Sequence, residues 1–180
     1  MIKEDVERLK YPVGHFQKPE PITSTTIKSW IKEIENFPVH MKKAVEGLSP
    51  AQLNWQYRSG GWTIKQVIHH CADSHMNSLI RFKLAITEDR PVIRPYFEDR
   101  WAELPDSLDP DVSVSLILLE ALHKKWVRLL RHLSEDDLKR VFIHPEHGKS
   151  FSVEENIGIY AWHCRHHLAH VRNAIEMNQQ

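Results

Sequence analysis

The sequence contains little cysteine, no surplus of charge of either sign and no long apolar run. Only two of its 180 residues are cysteines, Cys71 and Cys164, which excludes a disulfide framework. Lysine plus arginine (24) balances aspartate plus glutamate (24), so we expect neither nucleic acid nor an anionic membrane surface as a partner. No segment reaches the roughly 18 apolar residues of a membrane-spanning helix, and the N-terminus lacks the pattern of a secretion signal. These absences predict a cytoplasmic protein.

The apolar residues that are present follow a helical period in four long segments. With 41% apolar and 27% charged residues, the chain is typical of one globular domain, spanning 1–180. Apolar residues recur at spacings of three and four over 23–48, 63–87, 112–132 and from 153 onward. No segment shows a convincing strand alternation. The pattern therefore predicts an all-α protein, a four-helix bundle of up-and-down or crossover topology.

Two further segments are rich in proline and carry no lasting period. Residues 1–22 contain Pro12, Pro19 and Pro21, and we expect an irregular arm that covers the domain. The connection between the second and third helices contains four prolines and an aromatic group. It is longer than a typical loop, which predicts that it packs on the domain and has a functional role.

Histidine is concentrated on two of the predicted helices. The chain has 13 histidines, and the last helix carries His163 and His167 four residues apart, on one face and beside the apolar stripe. The second helix carries His70 in a comparable polar file, together with Asp73. Because helices of a bundle lie side by side, His70 is the best-placed third donor. The spacing thus favours a metal site of His70, His163 and His167, although His166 and His170 share the same spacing as the pair on the last helix.

Three imidazole ligands are typical of a catalytic zinc site. They leave one coordination position open, where the pKa of a bound water falls to about 7. Asp73, one turn from His70, is a candidate either for supporting that ligand or for transferring protons.

The remaining histidines and the cysteines are predicted to have other roles. We expect the four histidines nearest the candidate ligands to flank or support them; these are His69, His75, His166 and His170. Six others are expected to be solvated or in loops: His15, His40, His123, His132, His144 and His147. Cys71 and Cys164 occupy the apolar stripe, which favours burial in the core over metal binding.

An ordered set of motifs resembles the DinB superfamily and, within it, the YfiT-like metal-dependent hydrolases. The motifs are 11–14 (YPVG), 60–63 (GGWT), 69–77 (HHCADSHMN), 80–84 (IRFKL), 93–96 (IRPY) and 162–170 (WHCRHHLAH). The resemblance implies a four-helix bundle with a crossover, often a homodimer, and one divalent metal per chain, usually zinc or nickel, of which we expect zinc. Matched residue by residue, the family ligands fall on His70, His163 and His167.

Three functions are compatible with this resemblance, because a fold alone does not decide chemistry. The first is a hydrolase in which the metal activates water toward a small-molecule substrate, with Asp73 or a neighbour handling protons. The second is an S-transferase that binds a low-molecular-weight thiol such as bacillithiol, with Arg81 or Arg94 available for its carboxylates. The third is a metal-binding module without catalytic activity. A uniformly basic cleft beside the metal would favour the second function.

Overall fold

Four long helices form the framework of the fold. The computed structural model describes residues 3–146 and 148–179, with side chains described from Val6 onward. In chain order the elements are α1 (Lys3–Lys10), α2 (Ser24–Val45), a 3₁₀ turn (Gln52–Asn54), α3 (Ile64–Thr87), α4 (Glu98–Trp101), α5 (Ser113–Leu130), α6 (Glu135–Lys139), β1 (Val141–His144), β2 (Lys149–Ser152) and α7 (Val153–Asn178). The helical fold class predicted from the sequence is confirmed.

The helix starts follow from local capping. Thr63 accepts a hydrogen bond from the backbone N–H of Gln66, whose side-chain oxygen accepts one from the N–H of Thr63 at 3.0 Å. This reciprocal pair satisfies two donors that the first turn of α3 would otherwise leave unpaired. Ser152 caps α7 by accepting from the N–H of Glu155 at 3.2 Å. The two caps set where α3 and α7 begin, and these are the helices that carry the candidate ligands.

The four long helices are arranged with crossovers. Helices α2 and α3 each pack against both α5 and α7, which places α2 diagonal to α3 and α5 diagonal to α7. Large side chains at the centre, including Phe37, Phe82 and Trp126, are fully buried. Pro38 lies inside α2, which continues through it to Val45. Within the described residues, no helix combines the length and apolarity required to cross a bilayer.

The prediction of an irregular arm over 1–22 is wrong for its first part. Residues Lys3–Lys10 form helix α1, whose partly buried Val6 and Leu9 lie three residues apart on one face. The remainder of the arm is irregular and crosses α7, where Trp162 donates from Nε1 to the carbonyl of Gly14 at 2.8 Å. Two apolar residues are too few to show a period in the sequence, so this helix depends on its contacts with the domain.

The expectation of no strands is also wrong in detail. Strands β1 and β2 form an antiparallel hairpin, with Val141 opposite Ser152 and His144 opposite Lys149. A third extended piece joins it, because the N–H of Ile143 donates to the carbonyl of Pro91 at 2.8 Å. His144, expected to be solvated or in a loop, is therefore a buried residue of β1, and His147 lies outside the described residues. Strands of four residues are too short for an alternation to be recognised.

Candidate metal centre

His70, His163 and His167 converge where α3 packs against α7. The candidate ligand nitrogens of this three-histidine cluster lie within 4.8 Å of one another. The Nε2 atoms of His70 and His163 are 3.4 Å apart, although the residues are 93 positions apart in the chain. Helix α7 presents His163 and His167 from successive turns, as their spacing requires. The structure thus brings together the three side chains predicted from the sequence as ligands.

The separation of these nitrogens suits a tetrahedral ion. With Zn–N bonds of about 2.0–2.1 Å, tetrahedral geometry places ligand nitrogens about 3.3–3.4 Å apart. The observed 3.4 Å between the Nε2 atoms of His70 and His163 matches that edge. Trp62 packs on the His70 ring with centroids 4.6 Å apart, which limits rotation of that ring. The donor set and its spacing therefore fit one divalent cation.

Burial keeps the imidazoles of the cluster neutral. Removal from water lowers the pKa of His70 to about 4, with a smaller contribution from His170. Burial, followed by neighbouring imidazoles, holds the pKa of His163 and of His167 well below the ordinary value. A metal binds only the neutral form of the ring, because the cationic form has no free lone pair on nitrogen. At neutral pH the cluster consequently needs no deprotonation before binding.

A chain of buried imidazoles extends from His163 into the core. His163 Nδ1 lies 3.0 Å from His75 Nε2, and His75 Nδ1 lies 2.7 Å from His123 Nε2. His123 Nδ1 in turn lies 2.6 Å from the backbone carbonyl oxygen of Ile34. We call His163, His75, His123 and this carbonyl the inner chain. The expectation of a solvated His123 is wrong, since its side chain is 1% exposed.

A second set of imidazoles extends from His167 toward the arm. His167 Nδ1 lies 3.4 Å from His170 Nδ1, and His170 Nε2 lies 3.0 Å from the backbone carbonyl oxygen of Lys10, the last residue of α1. We call His167, His170 and this carbonyl the outer chain. His166, His167 and His170 form a second group close enough to hold an ion. This second group lies on α7 alone, whereas the three-histidine cluster joins α3 to α7, so we take the three-histidine cluster as the candidate centre.

The three-histidine cluster opens into a cavity of about 840 Å³. Ser74 and Tyr160 line it next to the cluster: Ser74 Oγ is 3.5 Å from His163 Nε2 and 3.3 Å from the Tyr160 hydroxyl. Tyr160 donates its hydroxyl proton to the Ser74 backbone carbonyl at 3.2 Å. Among the residues whose side chains are described, the charged ones at its wall are Lys10, Arg58, Arg81, Glu98 and Glu146. Three basic and two acidic groups make the cavity mixed rather than uniformly basic.

Asp73, predicted as a catalytic group, lies half-buried on α3 outside the residues that line the cavity. Burial, with a further contribution from the Asp106 carboxylate, raises its pKa to about 6. Arg81 lines the cavity, whereas the exposed Arg94 is not part of its wall. Cys71 and Cys164 are buried and free, as predicted, and burial raises the pKa of both thiols.

The histidines that support the cluster were the part of the site that sequence reasoning resolved least. His75 and His170 were expected only to flank or support the ligands, and His123 was assigned to solvent. A signal for His123 exists, because it follows Leu119 by four residues and precedes Trp126 by three, on the buried stripe of α5. The hydrogen-bond partners of His123, the His75 ring and the Ile34 carbonyl, are set by tertiary packing and have no signature in the sequence.

Comparison with known proteins agrees with this fold. The family model described as the DinB superfamily matches residues 34–171, and the chain belongs to that family. A protein from Bacillus cereus, provisionally named a metal-dependent hydrolase, is 55% identical over 163 residues, covering 91% of this chain and 93% of the relative. A relative from Oceanobacillus iheyensis with the same kind of name is 58% identical over 162 residues, covering 90% and 93%.

Two solved structures are similar in fold. YfiT from Bacillus subtilis, described as a probable metal-dependent hydrolase with an unusual four-helix bundle topology, superposes with a TM-score of 0.93 at 45% identity, covering 96% of this chain and 98% of YfiT. A mycothiol-dependent maleylpyruvate isomerase superposes with a TM-score of 0.56 at 16% identity, covering 81% and 60%. The second likeness extends to the fold alone.

Proposed function

We propose that this protein is a metal-dependent hydrolase whose ion is held by His70, His163 and His167. The observation that carries the proposal is the 3.4 Å separation of the His70 and His163 Nε2 atoms at the base of an open cavity. The names of the relatives, metal-dependent hydrolases, support it. When bound, a divalent ion such as zinc would polarise a substrate carbonyl and activate water. One ion per chain is proposed, with nickel as the alternative metal.

The chain's own residues around the cluster would bind and orient the substrate. The Tyr160 hydroxyl proton is committed to the Ser74 carbonyl, so the phenol oxygen is free to accept a hydrogen bond from water or substrate. Ser74 Oγ has one proton, which can turn from the Tyr160 oxygen to a substrate oxygen placed near His163 Nε2. In ester hydrolysis, the oxygen of water bonds to the carbonyl carbon, the bond to the alcohol oxygen breaks, and the alcohol leaves with a proton. Ser74 and Tyr160 are thus placed to orient the reacting atoms.

Metal content and hydrolysis test this proposal together. Protein purified without a nickel column and loaded with zinc should bind one ion per chain and hydrolyse an ester probe such as 4-nitrophenyl acetate. His167→Ala should lose both properties. The matched control is His166→Ala, the neighbouring buried histidine on α7, which should keep stoichiometric zinc. Loss of zinc from His166→Ala but not from His167→Ala would reverse the ligand assignment.

A thiol S-transferase is the second candidate. Arg58 and Arg81 line the cavity, and within the described residues the buried Nε of each has no hydrogen-bond partner. Both are available to a carboxylate of a thiol cosubstrate. In that reaction the thiol loses its proton, its sulfur bonds to an electrophilic carbon, and a group such as chloride leaves with the electron pair. Because the cavity wall carries both basic and acidic groups, we rank this function second.

A single assay separates the candidates. Zinc-loaded protein is incubated with a chlorinated electrophile, with and without bacillithiol, and adducts are measured by mass spectrometry. If adducts form only with both the thiol and intact metal ligands, thiol transfer would replace hydrolysis as the proposed function. Stoichiometric zinc without turnover in either assay would favour a metal-binding module without catalytic activity.

A further inference from the structure

The inner and outer chains share one property: each ends on a backbone carbonyl. The inner chain ends at Ile34 and the outer chain at Lys10. A carbonyl oxygen can only accept a hydrogen bond, and a neutral imidazole has one N–H donor and one acceptor nitrogen. The carbonyl at the end of each chain therefore fixes the direction of every hydrogen bond that precedes it.

The direction can be followed along the inner chain. Because Ile34 accepts, His123 carries its proton on Nδ1, and its Nε2 is an acceptor. His75 must then donate from Nδ1, which leaves its Nε2 to accept from His163 Nδ1. His163 is thereby left with a bare Nε2, the same nitrogen that lies 3.4 Å from His70 Nε2.

The outer chain gives the same result from the other end of the cluster. Lys10 accepts from His170 Nε2–H, so His170 Nδ1 is an acceptor. His167 then donates from Nδ1 across the 3.4 Å contact, and its Nε2 is left bare. The carbonyl of Lys10 has no partner within α1, because it belongs to the last turn of that helix. Helix α1 therefore supplies an acceptor that the bundle itself does not provide.

We propose that His75 and His170 are positioning residues that hold His163 and His167 in the Nδ1–H tautomer, with each Nε2 lone pair directed at the metal. His123 has the same role one step further from the site, by orienting His75. The inference rests on the proposed three-histidine metal site and adds to it the groups that prepare the ligands before an ion arrives. Groups that bind the second nitrogen of a ligand histidine fix its tautomer and orientation and raise its basicity.

Nitrogen NMR tests the tautomers directly and needs no variant that alters the fold. Long-range proton–nitrogen correlation spectra of the metal-free, ¹⁵N-labelled full chain distinguish a protonated from a bare ring nitrogen. His163, His167, His75 and His123 should each show a protonated Nδ1 and a bare Nε2, and His170 the reverse. A protonated Nε2 on His163 or His167 in the wild-type protein would overturn the proposal.

Zinc affinity, measured by competition with a chromophoric chelator, tests how much His75 and His170 contribute to metal binding. His75→Leu should lower it about 10- to 100-fold, and His170→Leu should lower it in the same direction. His75→Gln should recover most of the loss, since the amide oxygen can accept from His163 Nδ1. Wild-type affinity in both Leu variants would contradict the proposal.

The matched control is His69→Leu, which also removes a buried histidine from α3. His69 contacts Ser115 Oγ at 2.8 Å and the Asp109 carbonyl at 3.1 Å, outside both chains. The zinc affinity of His69→Leu should equal that of the wild-type protein. Thermal unfolding shows which of the variants are folded. Failure of the wild-type protein to bind zinc would refute the proposed function. The tautomers are measured in the metal-free protein, so the NMR result tests the positioning role independently of zinc binding.

Discussion

Asp73 and Tyr160 are both candidates for orienting a reactant, or accepting its proton, at the three-histidine cluster. Asp73 lies outside the cavity wall, whereas Tyr160 lines it beside Ser74. Position therefore favours Tyr160. The catalytic role of Asp73 stays a prediction that a pair of variants can decide.

We expect Tyr160→Phe to lower kcat for ester hydrolysis by about tenfold, equivalent to one lost hydrogen bond of about 1.4 kcal/mol in the transition state. Asp73→Asn should leave kcat close to the wild-type value. Because the raised pKa of Asp73 means that its ionised form opposes folding at neutral pH, this variant should also be at least as stable. A large loss of kcat in Asp73→Asn, with zinc still bound, would restore Asp73 as the catalytic group.

At the scale of the elements, Gly158 determines how closely α2 approaches α7. A Cβ atom built at Gly158 would lie 2.7–2.9 Å from three ring carbons of Trp30. Trp30 is buried and its ring is rigid, so it cannot move aside without disturbing the core. The glycine thus lets a tryptophan lie directly against the helix that carries His163 and His167.

Gly158→Ala should destabilise the protein even though alanine is the better helix former. The expected helix gain is about 1 kcal/mol, and the overpacking against Trp30 should cost about 1–3 kcal/mol. Urea unfolding of the metal-free protein measures the net change. In a Trp30→Leu background, Gly158→Ala should become neutral or stabilising. If Gly158→Ala stabilises the protein with Trp30 present, the predicted clash with Trp30 is wrong.

The elements also show where sequence reasoning succeeds. The helical periods predicted from the sequence begin at 63 and 153, next to the caps Thr63 and Ser152, because a cap is a local hydrogen-bond pattern. The hairpin Val141–Ser152 and helix α1 were not predicted, since each is too short for a period and depends on contacts with distant parts of the chain. The cluster was predicted from the spacing on α7 and the polar file on α3. The imidazole chains were not, because His75 and His123 are 48 residues apart and meet only through packing.

At the scale of the whole molecule, buried neutral histidines make folding sensitive to acid. Burial lowers the pKa of His123 to about 4 in the folded protein, from an ordinary value of 6.5. Between these values the unfolded chain holds a proton that the folded protein does not. The free energy of unfolding therefore falls as pH decreases through this window, by up to about 1.4 kcal/mol per pH unit for this one group.

Denaturant unfolding of the metal-free protein at a series of pH values from neutral to mildly acidic should show this loss of stability. His123→Leu should show a shallower pH dependence over the same window, since it removes one such group. His132→Leu is a control, because His132 is an exposed histidine two residues beyond the end of α5. Equal pH slopes for the wild-type protein and His123→Leu would contradict the prediction.

The hydrogen bond between His170 and Lys10 joins residues 160 positions apart, and His70 meets His163 across 93 positions. Ribosomes make proteins from the N-terminus, so a nascent chain contains only His70 from the cluster until residue 163 has been added. Truncated translation products that stop short of α7 therefore cannot sequester an ion through this site. Metal loading must therefore follow synthesis of α7.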